Sequence, residues 1–190
     1  MASFGARKPQ FAPIIGVGTT ESPYEYDTKV MIGKMVSGNM TITTSSGELY
    51  ANDALAEQVT EFVSASLPLE TDDMLDAVSN VVYGADVSGG TVTYNAGDEA
   101  PLGGLAYIQR LMRNRRVLYK GFFYPQAKAA IGNDNAQTKG SSITFGTTTT
   151  NFTIFADANG DWRKTFEAGT EADVQTWIDT CFSAAPAMDA

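Results

Sequence analysis

Few residues in this 190-residue chain could do covalent or metal chemistry, and their types narrow the options at once. There is no histidine. That absence removes Ser/His/Asp and Cys/His nucleophile arrangements, imidazole-based zinc sites and proton switching near neutrality. Asp157-Ala158-Asn159-Gly160-Asp161 alternates oxygen ligands with a turn-making glycine, as a calcium loop does. Ala168, however, stands where such a loop needs a bidentate glutamate to close it. A hairpin turn is the better reading. Gly16-Val17-Gly18 and Pro101-Leu102-Gly103-Gly104 match neither glycine-rich phosphate-cradle pattern and read as loops. The carboxylate pairs Asp72-Asp73 and Asp98-Glu99 are of the kind that serves glycoside hydrolysis, but helix capping explains the first and a polar loop the second. Cys181 has no His or Lys near it in sequence to lower its pKa, so a buried small hydrophobe fits better than a reactive thiol. No catalysis, cofactor or metal is expected.

The elements that carry these residues are mostly strands. Residues 1–23, punctuated by Pro9, Pro13 and Pro23, read as an N-terminal arm with a short extended piece from Phe11 to Ile15. Residues 24–183 read as one domain, and residues 184–190 as a tail. Strand is expected over Thr28–Thr44, with a turn at Ser45-Ser46-Gly47, and over Val59–Leu67, closed by Pro68. Further strands are expected at Thr91–Tyr94, Gly104–Met112, Arg116–Tyr124, Ser141–Phe145, Phe152–Ala156 and Trp162–Glu167. Asn159-Gly160 between the last two is the strongest hairpin signal in the chain. Arg116–Tyr124 loads both faces: Val117, Tyr119 and Phe123 on one, Leu118, Phe122 and Tyr124 on the other. Such a strand must be covered on both sides. One helix is expected from a Thr71 cap to just before Gly84. A second starts at Thr170, with Val174, Trp177, Ile178, Cys181 and Phe182 in one apolar stripe. The fold class is mainly β: an antiparallel sandwich or rolled sheet with one or two short flanking helices. Gln126–Gly140 lacks a strand pattern and reads as a long loop. No stretch approaches the ~20 apolar residues of a spanning helix, so a soluble protein is expected.

Charge is the informative feature. The net value is -9, from 13 basic and 22 acidic residues. Residues 21–100 are strongly acidic, whereas Arg110, Arg113, Arg115, Arg116 and Lys120 gather near one expected hairpin tip. Such a tip could contact nucleic-acid phosphates, or it could meet the acidic surface of another copy of the chain. A solvated surface is the bland alternative. The acidic balance and the lack of aromatics between the arginines favour self-association. Head-to-tail contacts of that kind close into rings or run on as filaments.

The order of segments carries a resemblance. Tyr26-Asp27-Thr28-Lys29-Val30, Ile32-Gly33 and Leu49-Tyr50-Ala51-Asn52-Asp53 are followed by a strand at Phe62–Leu67 and an acidic helix at Asp72–Val78. Then come Arg115-Arg116-Val117-Leu118-Tyr119-Lys120-Gly121-Phe122-Phe123-Tyr124-Pro125, Gln137-Thr138, Ile143-Thr144-Phe145 and a closing segment from Trp162 to Thr180. Over roughly residues 24–183 this resembles the major tail protein (tail tube) family of bacteriophages with long non-contractile tails. The resemblance implies a β-sandwich with a flanking helix, whose inner strands form a β-barrel between subunits. It implies hexameric rings stacked into a conduit for DNA, built in the bacterial host cytoplasm and ending in the virion tail. Tape-measure and tail completion proteins are the implied partners. An acidic bore would keep DNA from sticking. By analogy, ring-stacking contacts fall in Phe11–Gly18, Ser45–Gln58 and Gln126–Gly140, among them Phe11, Ile14, Ile15, Tyr50, Asn52, Asp53, Lys128 and Asn133. The basic cluster Arg110, Arg113, Arg115, Arg116 and Lys120 is expected against a neighbouring subunit. A type VI secretion or tailocin-like tube shares this architecture. A monomeric carbohydrate-binding module would need exposed Trp and Tyr, whereas Trp162 and Trp177 are expected to face inward.

Overall fold

Runs rich in Val, Ile, Thr and aromatic residues suit a pleated, half-buried surface, and most of this chain forms strand. A computed structural model describes residues 2–17, 24–51, 54–134 and 146–183. The chain opens with β1 (Ala2–Val17), β2 (Tyr24–Tyr26), β3 (Val30–Met31), β4 (Met35–Gly38) and the long pair β5 (Thr41–Ala51) and β6 (Ala54–Thr71). Helix α1 (Asp76–Tyr83) and the small hairpin β7 (Asp86–Ser88) and β8 (Thr91–Thr93) follow. Then come β9 (Leu102–Arg113), β10 (Arg116–Asp134), β11 (Thr148–Phe155), β12 (Lys164–Ala168) and α2 (Glu171–Phe182). The main sheet is antiparallel in the order β2-β1-β9-β10-β11-β6-β4; β12 also pairs with β10, β3 with β1 and β5 with β6.

This sheet curls. Phe11 on β1 and Phe152 on β11 lie 5.8 Å apart between ring centroids, although β9 and β10 separate their strands. The enclosed core holds Leu67, Leu69, Leu105, Tyr124, Phe152 and Ile154, with Val78 and Val82 of α1 packed on it. On the opposite face, Val174, Ile178 and Phe182 of α2 cover Ala106, Ile108 and Phe123. Neighbours Phe123 and Tyr124 thus enter different cores, and β10 is covered on both sides as its residue pattern requires. The mainly-β class with flanking helices holds.

Several local expectations are overturned. Residues 2–17 are a sheet strand rather than an arm: β1 pairs along β9, and Phe11 and Ala12 are 0% exposed. Pro9 and Pro13 are tolerated because their carbonyls do the bonding, accepting from Ile32 N at 3.0 Å and Asp27 N at 2.8 Å. Strand β1 therefore belongs to the same sheet as the strands that follow residue 24. Ser45-Ser46-Gly47 make no turn; they lie within β5 opposite Glu61, Thr60 and Val59. β6 runs through Pro68 to Thr71, so Thr71 is a buried strand end and α1 starts at Asp76. Asp72, expected to cap the helix, accepts instead from Lys34 N. Residues 126–134 are the second half of β10, not a loop. Residues 18–23, Asn52, Asp53, residues 135–140, the expected strand Ser141–Phe145 and residues 184–190 lie outside the described residues.

The turn at Asn159-Gly160 exists, but the strands around it do not pair with each other. β11 lies against residues 126–134 of β10, and β12 lies against residues 119–123 on the same edge. The chain detours through residues 156–163 and resumes the same line. Asp157 holds this detour by accepting at Oδ1 from the backbone N–H of Asn159 and Asp161.

The second helix forms as its sequence foretells, with Thr170 Oγ1 accepting from Asp173 N at 3.2 Å. It is fastened to β1 by Glu171, which pairs with Arg7 at 3.0 Å and Lys8 at 2.8 Å. The hydrogen bond from Lys8, with the neighbouring Arg7 charge, holds the Glu171 carboxyl below its ordinary pKa of 4.5. A depressed folded pKa means that this attachment is complete above about pH 4.5 and is lost as pH falls through the folded value. In acid titrations of the thermal midpoint, Glu171→Gln should therefore lose less stability than wild type below that pH, at a neutral-pH cost of under about 1 kcal/mol. Close packing of α2 sets a second expectation. A Cβ at Gly121 would stand 2.7 Å from Val174 Cγ1 and 2.9 Å from a Trp177 ring carbon. Gly121→Val should cost about 1–3 kcal/mol in denaturant unfolding.

Candidate functional site

The basic cluster sits on one hairpin. β9 and β10 are joined by Asn114 and Arg115, both at positive φ (50° and 62°), with Arg113 opposite Arg116. Two left-handed residues make the tight turn whose twist matches the strands, and glycine normally occupies the second place. Arg115 holds it instead, at a steric cost that glycine would not carry.

The five predicted cations share one end of this hairpin but not one face. Arg110 is opposite Tyr119, which belongs to the α2 side, and its guanidinium lies over the Phe4 ring at 5.0 Å. Arg113 reaches Glu167 on β12 at 2.9 Å, and Glu167 is opposite Lys120 in the sheet. Lys120 Nζ lies over the Phe122 ring at 5.4 Å. Arg115 and Arg116 are exposed, and neither has an ion-pair partner among the described residues. The sheet face away from α2 thus carries Arg113, Arg116 and Lys120 against Glu167, which is not an acidic wall.

Around this hairpin the sheet is four strands wide, in the order β1, β9, β10, β12. Among the described residues, both outer strands are open. Residues 2–8 of β1 pair with β9 on one side, while β2 and β3 join the other side of β1 only at residues 10–17. β12 pairs with β10 alone among the described strands. Rows of free backbone donors and acceptors therefore flank the sheet at left and right. β1 carries bulges near Gly5 and Lys8, which add the twist that a curved sheet requires.

The residues expected at stacking contacts scatter. Phe11 is buried in the core and cannot serve a surface contact; Ile14 packs in the α2 cluster, and Ile15 is 61% exposed. Tyr50 lies in β5 and Asn133 in β10, whereas Asn52 and Asp53 fall outside the described residues. Lys128 is paired with Glu99 at 2.9 Å. Residues 45–51 and 54–58, expected in a loop, are instead strand in the ribbon β5–β6. Every residue from Thr41 to Glu48 is exposed, Ile42 among them, and so are Val59 and Val63.

At the other end of β10 lies a groove that the sequence analysis missed. Two adjoining hollows of about 320 and 460 Å³ share Tyr83, Tyr94 and Ile131 in their lining, with Asp76, Asp98 and Glu99 around them. The acidic run from residue 72 to residue 99 was the available signal; its convergence on β10 was not local information. Cys181 is half-buried, and burial pushes its thiol up to about 11, which disfavours the thiolate at neutral pH. No protein-family model matches the chain, and no curated protein matches it.

The strained turn yields a measurable consequence. Arg115→Gly should raise monomer stability by up to about 1 kcal/mol by relieving the left-handed conformation, read as a higher denaturant midpoint.

Proposed function

We propose that this chain is a structural, self-assembling subunit of a tail-tube kind, with no catalytic role. The observation that carries this reading is the four-stranded sheet whose edge on either side is open among the described residues. A left edge on one copy and a right edge on the next are complementary, and repeating that heterologous contact around an axis closes a ring. Closure also removes edges that would otherwise invite uncontrolled aggregation. Helix α2 covers one face of this sheet and the larger core covers the other as far as Tyr107 and Phe122, which leaves the hairpin end, with Arg113, Arg116 and Lys120, to face the inside of such a barrel.

Two further features support the reading. In the ribbon β5–β6, Thr41–Glu48 and residues 58–61 are exposed, before β6 enters the core at Ala65. A charge of -9 per copy, multiplied around a ring, gives a conduit whose overall field repels passing DNA even where single cations face inward. Following the resemblance, six copies form each ring, rings stack into the tube, and tape-measure and completion proteins occupy its interior and ends.

Electron microscopy of purified wild-type protein should show rings or tubes. A chain lacking residues 2–7 keeps Phe11 and Ala12 in the core, so it should stay folded by circular dichroism yet remain monomeric in sedimentation. Rings built by the shortened chain, or a wild type that stays single at high concentration, would rule the proposal out.

A further inference from the structure

Exposed charges of opposite sign lie near the two ends of one strand. Arg116 begins β10 at the basic hairpin, and Ile131, near its other end, lines the acidic groove. Those positions are on the order of 50 Å apart along the strand at about 3.3 Å per residue. The hairpin presents Arg115 and Arg116, both exposed and without an ion-pair partner among the described residues. The groove presents an apolar floor and an acidic rim. Tyr94 is 51% and Ile131 57% exposed, and Leu75 and Val87 on neighbouring segments are exposed as well. Asp76 and Asp98 have no ion-pair partner among the described residues, whereas Glu99 is neutralised by Lys128.

We propose that the groove between α1, β8 and the end of β10 receives the Asn114-Arg115-Arg116 tip of a second copy stacked head to tail. This inference rests on the self-assembly reading and assigns it an axial contact, distinct from the lateral edge pairing of β1 and β12. Three observations select a second copy as the occupant. The charges are complementary. The two surfaces lie at opposite ends of one strand, so a translation along that strand brings the tip of one copy to the groove of the next. The hollow also suits the guest: aromatic rings at the floor can pack on guanidinium planes while the rim carboxylates pair with them. Arg115 at its strained φ is then held where a ligand side chain is needed, in place of the glycine that the turn alone would favour.

The test is a charge exchange across the contact. Arg115→Glu with Arg116→Glu should leave rings but no tubes, with at least a tenfold higher critical concentration for stacking by sedimentation. Asp76→Lys with Asp98→Lys should do the same, and the chain carrying all four changes should recover tubes. Asp98 also accepts from Asn95 N, so a milder pair, Asp76→Asn with Tyr94→Ser, covers the case in which that loop is disturbed; it too should raise the critical concentration. Tubes at wild-type concentration from both groove variants would overturn the groove assignment while leaving self-assembly standing. Failure of the fourfold exchange to restore stacking would overturn it as well. Absence of any ring or tube in the wild type would overturn both readings.

Discussion

β10 runs for nineteen residues and its middle, at Tyr119–Phe123 and Ala127–Lys128, finds partners along both edges, which the rest of the architecture is arranged to supply. One edge takes β9; the other takes β12 and then β11, with the Asp157 detour between them. An unpaired buried peptide group costs more than most side-chain contacts supply, so this pairing constrains everything attached to it. It places the core against Tyr124, Ala127 and Ala129, sets α2 on Phe123, and fixes the basic tip and the acidic groove at opposite ends.

The same pairing leaves the molecule incomplete. Among the described residues there is no further strand outside β12 where it meets β10, and none outside the first residues of β1 where they meet β9. Elsewhere the sheet curls over a packed interior and its surfaces are used. The unused ones are concentrated in the four-stranded end, the β5–β6 ribbon and the tip. In the proposed tube these are the surfaces that neighbours supply, while paired cations such as Arg7, Lys8, Lys29 and Lys128 are occupied in holding the subunit itself together.

Ordering along the chain also bears on how the subunit forms. Arg7 and Glu171 lie 164 positions apart, and β1 joins the sheet beside β9. Contacts of such separation form late, because loop closure precedes any gain from them. Glu171 ties the first strand, which carries one open edge, to α2, so elements from the two ends of the sequence are fastened to each other.

Legibility followed the range of each interaction. The α2 cap and stripe, the two-faced strand at Val117–Tyr124 and the basic hairpin turn were readable because neighbours within a few residues set them. Acidity, the lack of histidine and the mainly-β class were likewise properties of the residues themselves. Residues 2–17 were misread because proline counts against a strand locally, while pairing with β9 and carbonyl bonds to Asp27 and Ile32 override it. The second half of β10 was missed for a related reason: Ala127, Ala129 and Ala130 carry little strand preference, and β11 holds them there. Which edges stay open, and that Asp76, Asp98 and Tyr94 gather beside Ile131, were decided by the tertiary structure alone, since hydrogen-bond partners far apart in the chain leave no mark on local periodicity.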